Sequence, residues 1–312
     1  MTYIAETVNG DLIDLKQPLE VTLNQAEEAP ADDISAVFPI NKKIEELKNI
    51  SIYSNFKKIF YGLLDTQKTS CTPSGTFLNI TARSMAALLL DNEACPQTYS
   101  VPSLLIIFNR HIRPYGFTSF SGDSKQFPLE LVVSKGMSEW EVLETFCTDY
   151  LRVYPRINSD MTINATRALS INNIVFSNKG QGIKYNYIYE NIKRHKLYSE
   201  VFVRATKDGA YSLEVKDKDA INRGINTKRY LNAIDSIKTP TVCGEIMLQT
   251  AQNNAYEICV VCPGEVSLNI GDKATINDTL FGAIKNLVVS KIKYTLDSMS
   301  ERTEVFLQRG DI

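Results

Sequence analysis

The residues best spaced for chemistry are cysteines. Cys259 and Cys262 stand three apart, as in half of a zinc site or in a dithiol redox motif. A structural zinc site needs a second pair, and the two histidines of the chain, His111 and His195, are distant in sequence. A redox pair opens a helix, whereas this one ends the apolar run YEICVVC and meets Pro263-Gly264. Both are therefore expected as thiols of a strand core. Cys147, with Asp149 beside it and the histidines elsewhere, supplies the residue types of a cysteine hydrolase, a constellation defined by geometry and not by sequence proximity. It falls on the apolar side of an expected helix, where a small hydrophobe suits the interior and a buried thiol is inert.

The acidic pairs Glu27–Glu28 and Asp32–Asp33 have the residue type for glycosidic acid–base work. Their stretch is polar and lacks the apolar neighbours that lift a carboxyl pKa, so they read as a solvated loop. GQGIK (180–184) has two glycines without the third glycine or the preceding buried strand of a dinucleotide site, and reads as a turn. One site-like feature remains. LELVVSKGMSEWEVLETFCTDY (129–150) is a strand, a Lys-Gly turn and a capped helix led by Trp140, which resembles the opening of a LysM carbohydrate module. The usual ending of that module is echoed by RINSDMTINATRAL (156–169), with no second repeat. The reading is a structural segment of LysM shape, since fold does not imply function. No residue is assigned to catalysis, to a metal or to a cofactor.

Composition supports a chain poor in chemistry. The 312 residues hold two histidines, 34 basic and 36 acidic side chains, a formal charge of −2, which disfavours a dedicated nucleic-acid binder. Hydrophobic residues at 44% and charged residues at 22% are ordinary globular values, and the length suggests two domains. The longest apolar run, VPSLLIIF, is far short of a membrane span, and the N-terminus lacks the basic-then-apolar pattern of a secretory signal. The six cysteines (71, 95, 147, 243, 259 and 262) are too sparse for a disulfide scaffold and are expected as free thiols in a reducing cytoplasm. The small net charge conceals an asymmetry. Residues 1–33 carry eight acids and one base, Lys16; residues 179–230 carry twelve bases and six acids. Such faces are either simply solvated or complementary surfaces that meet within or between subunits.

The elements that must carry these residues begin as strands. LEVTLN (19–24), ISIYS (50–54), KIFYGLLDT (58–66) and GTFLNITAR (75–83) alternate or are rich in β-branched and aromatic residues, and suggest a barrel or sandwich closed by a short helix, RSMAALLL. Residues 100–155 turn helical. Ser100 is expected to cap a helix with Pro102 in its first turn and Val101, Leu105, Phe108 and Ile112 on its apolar face. Ser138 and Glu141 form a capping-box pattern, ahead of the face Trp140, Leu143, Cys147 and Tyr150. Strands return with IKYNYIY (183–189). SEVFVRAT and AYSLEVKD flank Asp208-Gly209, a tight-hairpin signal. Thr239-Pro240 opens a helix to about Gln252, and NLVVSKIKYTL and RTEVFLQR close the chain around Asp297–Glu301, with Val288, Ser290, Ile292, Tyr294 and Leu296 on one face. The order is β-rich, α/β, β-rich: an α+β protein with two β domains around a mixed insert.

Read in order, DDISAVFP, NISIYSNFKKIFYGLLDTQ, GTFLNITARSMAALLLDNEA, SVPSLLIIFNRHIRPYGF, LVVSKGMSEWEVLETFC, LYSEVFVRA, KRYLN, CPG, NIGDKATI and VSKIKYTLDSMSERTEVFLQRGD resemble the XkdQ-type baseplate hub proteins of contractile phage tails and phage-tail-like bacteriocins. Late-control-gene-D hubs of Mu-like phages and the N-terminal part of type VI secretion spike proteins are relatives of that family. The resemblance implies two tail-tube-like β-barrel domains, 1–98 with its closing helix and 181–312, around an α/β region, 99–180, that includes the LysM-like segment 127–165. It implies a non-enzymatic protein without cofactor, a homotrimer whose six barrels adapt a sixfold tail tube to a threefold spike. Expected partners are the tail-tube, central spike, baseplate wedge and tape-measure proteins, with neither sequence-specific nucleic acid nor membrane insertion. The expected place is the baseplate of a virion or tail-like particle assembled in the host cytoplasm, with spike and cell-wall hydrolase as separate proteins. The alternative is a peptidoglycan-binding or cell-wall-degrading tail component acting through Trp140 and the LysM-like segment.

Overall fold

The computed structural model describes residues 1–27, 29–166, 172–234 and 238–310, and the chain separates into two compact units. Unit one comprises Met1–Ile171, Cys262–Gly271 and Ser290–Glu304; unit two comprises Asn172–Val261, Asp272–Val289 and Val305–Ile312.

Unit one opens with seven strands: β1 (Thr2–Thr7), β2 (Leu12–Asp14), β3 (Glu20–Ala26), β4 (Asp33–Pro39), β5 (Leu47–Ser54), β6 (Lys57–Thr72) and β7 (Gly75–Ser84). Alternating apolar residues drive them. In β4, Ile34, Ala36 and Phe38 are buried; in β7, Leu78, Ile80 and Ala82 are buried, the face expected from sequence. The strands pair antiparallel in the order β3-β4-β7-β6-β5-β1-β2 over a core that includes Tyr3, Phe38, Ile50, Ile52, Phe60 and Leu78. Gly62 lets β6 lie close to β7, since a Cβ there would sit 2.3 Å from the Arg83 carbonyl oxygen. Arg83 donates to Asp65 and Asp91, both bidentate, and ties β6 to the end of α1 (Ala87–Leu90). Near the other end of β6, the Gln67 side chain accepts from Leu47 N at 2.8 Å and donates to the Glu45 carbonyl at 2.9 Å, fixing the loop before β5.

The insert that follows is a small α/β layer: β8 (Gln97–Tyr99), α2 (Leu104–Ile107), β9 (Ser119–Gly122), β10 (Leu131–Val133), α3 (Glu139–Phe146), β11 (Arg156–Ile157) and β12 (Thr162–Ala165). Strand β10 pairs antiparallel with β8, and β12 lies between β11 and, in parallel, β9. The Ser138–Glu141 capping box is present, and Trp140, Leu143, Cys147 and Tyr150 are buried as expected. The first helix differs from expectation. Ser103 caps it, accepting from Ile106 N, and the buried residues are Leu104, Ile107, Phe108 and Ile112, while Val101 and Leu105 are exposed. The Pro102 carbonyl is held by Phe127 N, so the turn begins after the proline and the apolar face shifts. Both helices loosen into a π-helical turn, Phe108–Ile112 and Cys147–Leu151, the second stopping at left-handed Arg152.

Unit two contains β13 (Asn173–Ser177), β14 (Tyr187–Ile192), β15 (Glu200–Arg204), β16 (Leu213–Lys216), α4 (Lys218–Asn222), β17 (Lys228–Asn232) and α5 (Pro240–Ala255), with most of β18 (Tyr256–Pro263), all of β19 (Lys273–Asp278), and parts of β20 (Gly282–Leu296) and β21 (Glu301–Arg309). Strand β15 pairs antiparallel with β16 and parallel with β17, and α5 covers one face through Val201, Val203 and Leu248. Gly244 of α5 permits that packing, because a Cβ there would lie 2.7 Å from Val215. The β15–β16 hairpin is present, but residues 205–212 form its loop and Gly209 keeps a negative φ, so Asp208-Gly209 is not a two-residue turn. IKYNYIY pairs as a strand only from Tyr187. In β20 the expected face is buried at Ser290, Ile292 and Tyr294, whereas Leu287 and Val289 are buried before it, so the alternation changes phase within the strand.

Two closed barrels were expected, and neither forms. In unit one the strand order runs from β20 through β3 to β2 and ends there; in unit two it runs β14-β18-β21-β20, with β19 beside β20 and β13 beside β19. Among the described residues neither order returns to its first strand, so the sheets are open. Alternation reports only that one face of a strand is buried; closure requires that the last strand find the first. The end strand β2 has three residues and is followed by Lys16 at φ 62° and then Pro18, which blunts the edge. No helix among the described residues is long and apolar enough to cross a membrane.

Candidate functional site

Cys147 is buried in the α3 core, and desolvation pushes its thiol up to about 12. Both ring nitrogens of His111 are engaged elsewhere, and exposed His195 belongs to unit two. Cys259 and Cys262 are buried strand thiols, as expected, and none of the six cysteines is in a disulfide. Three residues along a strand, the pair is about 10 Å apart with side chains to opposite faces, beyond disulfide reach. Among the described residues no three His, Cys, Asp or Glu side chains converge to hold a metal ion. Trp140, the anchor of the carbohydrate alternative, is buried, and its Nε1 donates to Glu144 at 3.1 Å. GQGIK is a turn, with Gly180 and Gly182 at positive φ.

The acidic pairs divide differently from the sequence reading. Glu28 lies outside the described residues, as does RINSDMTINATRAL beyond Thr166. Asp33 is exposed, but Asp32 is not solvated: its side chain is 13% exposed and accepts from Arg156 at 3.2 Å and Gln25 at 3.0 Å. Burial holds its carboxyl above the usual range, against the pull of Arg156. Arg156 comes from β11, over a hundred residues away, and that separation hid the pair from sequence reasoning.

A buried polar network was missed altogether. The Glu139 carboxylate accepts from His111 Nδ1 at 2.5 Å and from the Tyr115 hydroxyl at 3.2 Å, and His111 Nε2 meets the Tyr99 hydroxyl at 2.8 Å. With His111 only 2% exposed, this chain joins β8, the turn after α2 and α3 and fixes their mutual geometry. Its members satisfy one another. The only sequence signal was an acid inside the first turn of an amphipathic helix.

What the molecule offers outward are rigid turns that carry apolar tips. Asp297 Oδ1 accepts from Met299 N and Ser300 N, while Oδ2 takes Arg302; Met299 is 92% exposed. Asp278 Oδ1 accepts from Leu280 N and Phe281 N beneath exposed Leu280. Tyr185 and Asn178 donate to the same carboxylate's Oδ2, and its pKa falls to about 2, chiefly through the Tyr185 hydrogen bond. The third tip is Asn55-Phe56, a two-residue loop between paired Ser54 and Lys57, with φ of 46° and 63°. Glycine is the natural second residue of such a turn. A phenylalanine in left-handed backbone costs roughly 1–2 kcal/mol, and here the ring is fully exposed. At the far end of the same strand pair, Lys43, Ile44, Glu45, Glu46, Gln67 and Thr69 line a surface cavity of about 640 Å³.

No family model matches the sequence, and no curated protein does. Solved structures do. A tail protein from Neisseria meningitidis superposes with a TM-score of 0.79 at 13% identity, covering 99% of this chain and 97% of that one. The 43 kDa tail protein of prophage MuSo2 from Shewanella oneidensis gives 0.79 at 12% identity, with 99% and 98% covered. The chain has the phage tail-protein fold. The likeness extends to an E. coli component of the type VI secretion system described as similar to T4 tail proteins gp27 and gp5, with a TM-score of 0.57 at 8% identity over 95% of this chain and 74% of that one. The tail-protein fold accounts for the whole described chain, insert and both sheets together. At 8–13% identity the likeness is one of backbone fold.

Proposed function

We propose that the chain is a structural, non-enzymatic hub of a contractile tail baseplate. Three copies form a ring that adapts a sixfold tail tube to a threefold spike. The observation that carries the reading is the match, near complete on both sides, to two phage tail proteins. In this reading the segments 1–98 and 181–312 make the tube and spike contacts, and 99–180 spaces them. The tail-tube, central spike, wedge and tape-measure proteins are the partners, and the place of action is the baseplate of a virion or tail-like particle assembled in the host cytoplasm. The buried state of Cys147 and the buried anchor Trp140 support assembly over wall hydrolysis or sugar binding.

The test is native mass measured on the full chain alone and with its spike and tube proteins. The expected result is a species of three copies, retained when the spike binds. A chain that stays monomeric in the presence of both proteins overturns the reading.

A further inference from the structure

We propose that the Asn55-Phe56 turn of one copy docks in the cavity beside Ile44 of a second copy, a head-to-tail contact between identical chains. The proposal rests on the trimeric reading above and names its contact. Phe56 is a fully exposed ring on a backbone that disfavours it, and no packing among the described residues accounts for it. The ring is held rigid by the β5–β6 ladder, which limits the ordering lost on docking.

The cavity has the matching properties. Ile44 gives it an apolar wall, and its volume of about 640 Å³ exceeds the need of one phenyl group. Its shape is set in advance, because Gln67 clamps both the Glu45 carbonyl and Leu47 N. Charge agrees as well. Exposed Lys57 follows the ring, and the cavity is lined by two carboxylates, Glu45 and Glu46, against the single ammonium of Lys43.

The geometry settles which copy is the partner. Tip and cavity lie at opposite ends of one strand pair, roughly 35 Å apart at the rise of a strand, so a chain cannot fill its own cavity. A contact between different patches of identical chains is heterologous and closes a ring when its rotation permits.

Sedimentation of the full chain over a range of concentrations, alone and with spike and tube proteins, tests the contact through Phe56→Gly. This variant relieves the left-handed strain while removing the knob. It is expected to melt at a higher temperature and to associate about tenfold more weakly or worse. The opposite signs exclude misfolding as the cause. Association equal to the parent's overturns the contact and leaves the trimeric reading standing; a parent that never associates overturns both. In a Cys71→Ser, Cys95→Ser background, Phe56→Cys with Ile44→Cys is expected to give covalent trimers under mild oxidation. Exclusively monomeric product in a chain that does associate overturns the contact.

Discussion

Asp32 and Asp278 are carboxylates at strand ends, one in each unit, and their surroundings act on them in opposite senses. Asp32 is taken out of water beside Arg156 and Gln25, and the cost of burying charge exceeds what those partners return. At Asp278 four donors converge on the carboxylate from Tyr185, Asn178, Leu280 and Phe281, and they outweigh its desolvation. Desolvation leads at the first site and hydrogen bonds at the second, and the two shifts take opposite signs. Unit one therefore holds a carboxyl whose pKa is raised where unit two builds a turn around one whose pKa is lowered.

The same substitution at both sites is the strongest way to break that comparison. Asp278→Asn turns an amide toward donors that need an anion, and is expected to destabilise the fold by about 2 kcal/mol. Asp32→Asn keeps an acceptor for Arg156, whose head is 26% exposed, and is expected to cost within about 1 kcal/mol. Denaturant unfolding of the two variants measures both. A larger loss at Asp32 reverses the assignment of roles.

Acid titration sharpens the same contrast with a smaller effect. The folded pKa of Asp278, about 2, lies below the ordinary 3.8, so its contribution is complete above 3.8 and is lost as pH falls toward 2. Asp32 runs the other way. Its raised pKa makes its contribution complete below 3.8 and lost as pH rises through the folded value. In melting curves taken from neutral pH downward, Asp278→Asn is expected to flatten the acid loss and Asp32→Asn to steepen it. Parallel curves for parent and both variants would remove either carboxylate as the cause.

These two sites also show what the sequence could and could not convey. Local patterns were legible: the Ser138–Glu141 capping box, the alternation of Leu78, Ile80 and Ala82, and the inert setting of Cys147 all follow from spacing along one element. Features made by distant segments were not. Arg156 reaches Asp32 across 124 residues, and His111 finds Glu139 across 28, so neither pair leaves a periodic trace. Open sheets were read as barrels for the same reason, because alternation fixes a face and leaves the pairing of end strands undetermined. The docking tips were within reach: an Asn-Phe step between two β-rich runs is a hairpin turn with the wrong second residue, and Phe56 could have been singled out on that ground alone.

The smallest expected effect concerns the charge asymmetry between residues 1–33 and 179–230. Among the described residues Asp32 pairs with Arg156 and Lys193 with Glu257 outside their segments, whereas Lys16–Asp14, Lys216–Glu214 and Lys228–Glu200 pair within them and leave the asymmetry in place. Exposed pairs of this kind contribute little and are screened over about 10 Å at moderate salt. Raising salt from ~0.05 to ~0.5 M is therefore expected to weaken the trimer only a few-fold, as read by sedimentation. An unchanged trimer would leave no electrostatic part, and dissociation to monomers would make the charged segments its main support. An apolar knob such as Phe56 should be nearly indifferent to salt, because the hydrophobic gain is not screened. The salt response of the Phe56→Gly variant then separates the two forces: if charge is secondary, removing the ring must weaken assembly at every salt concentration alike.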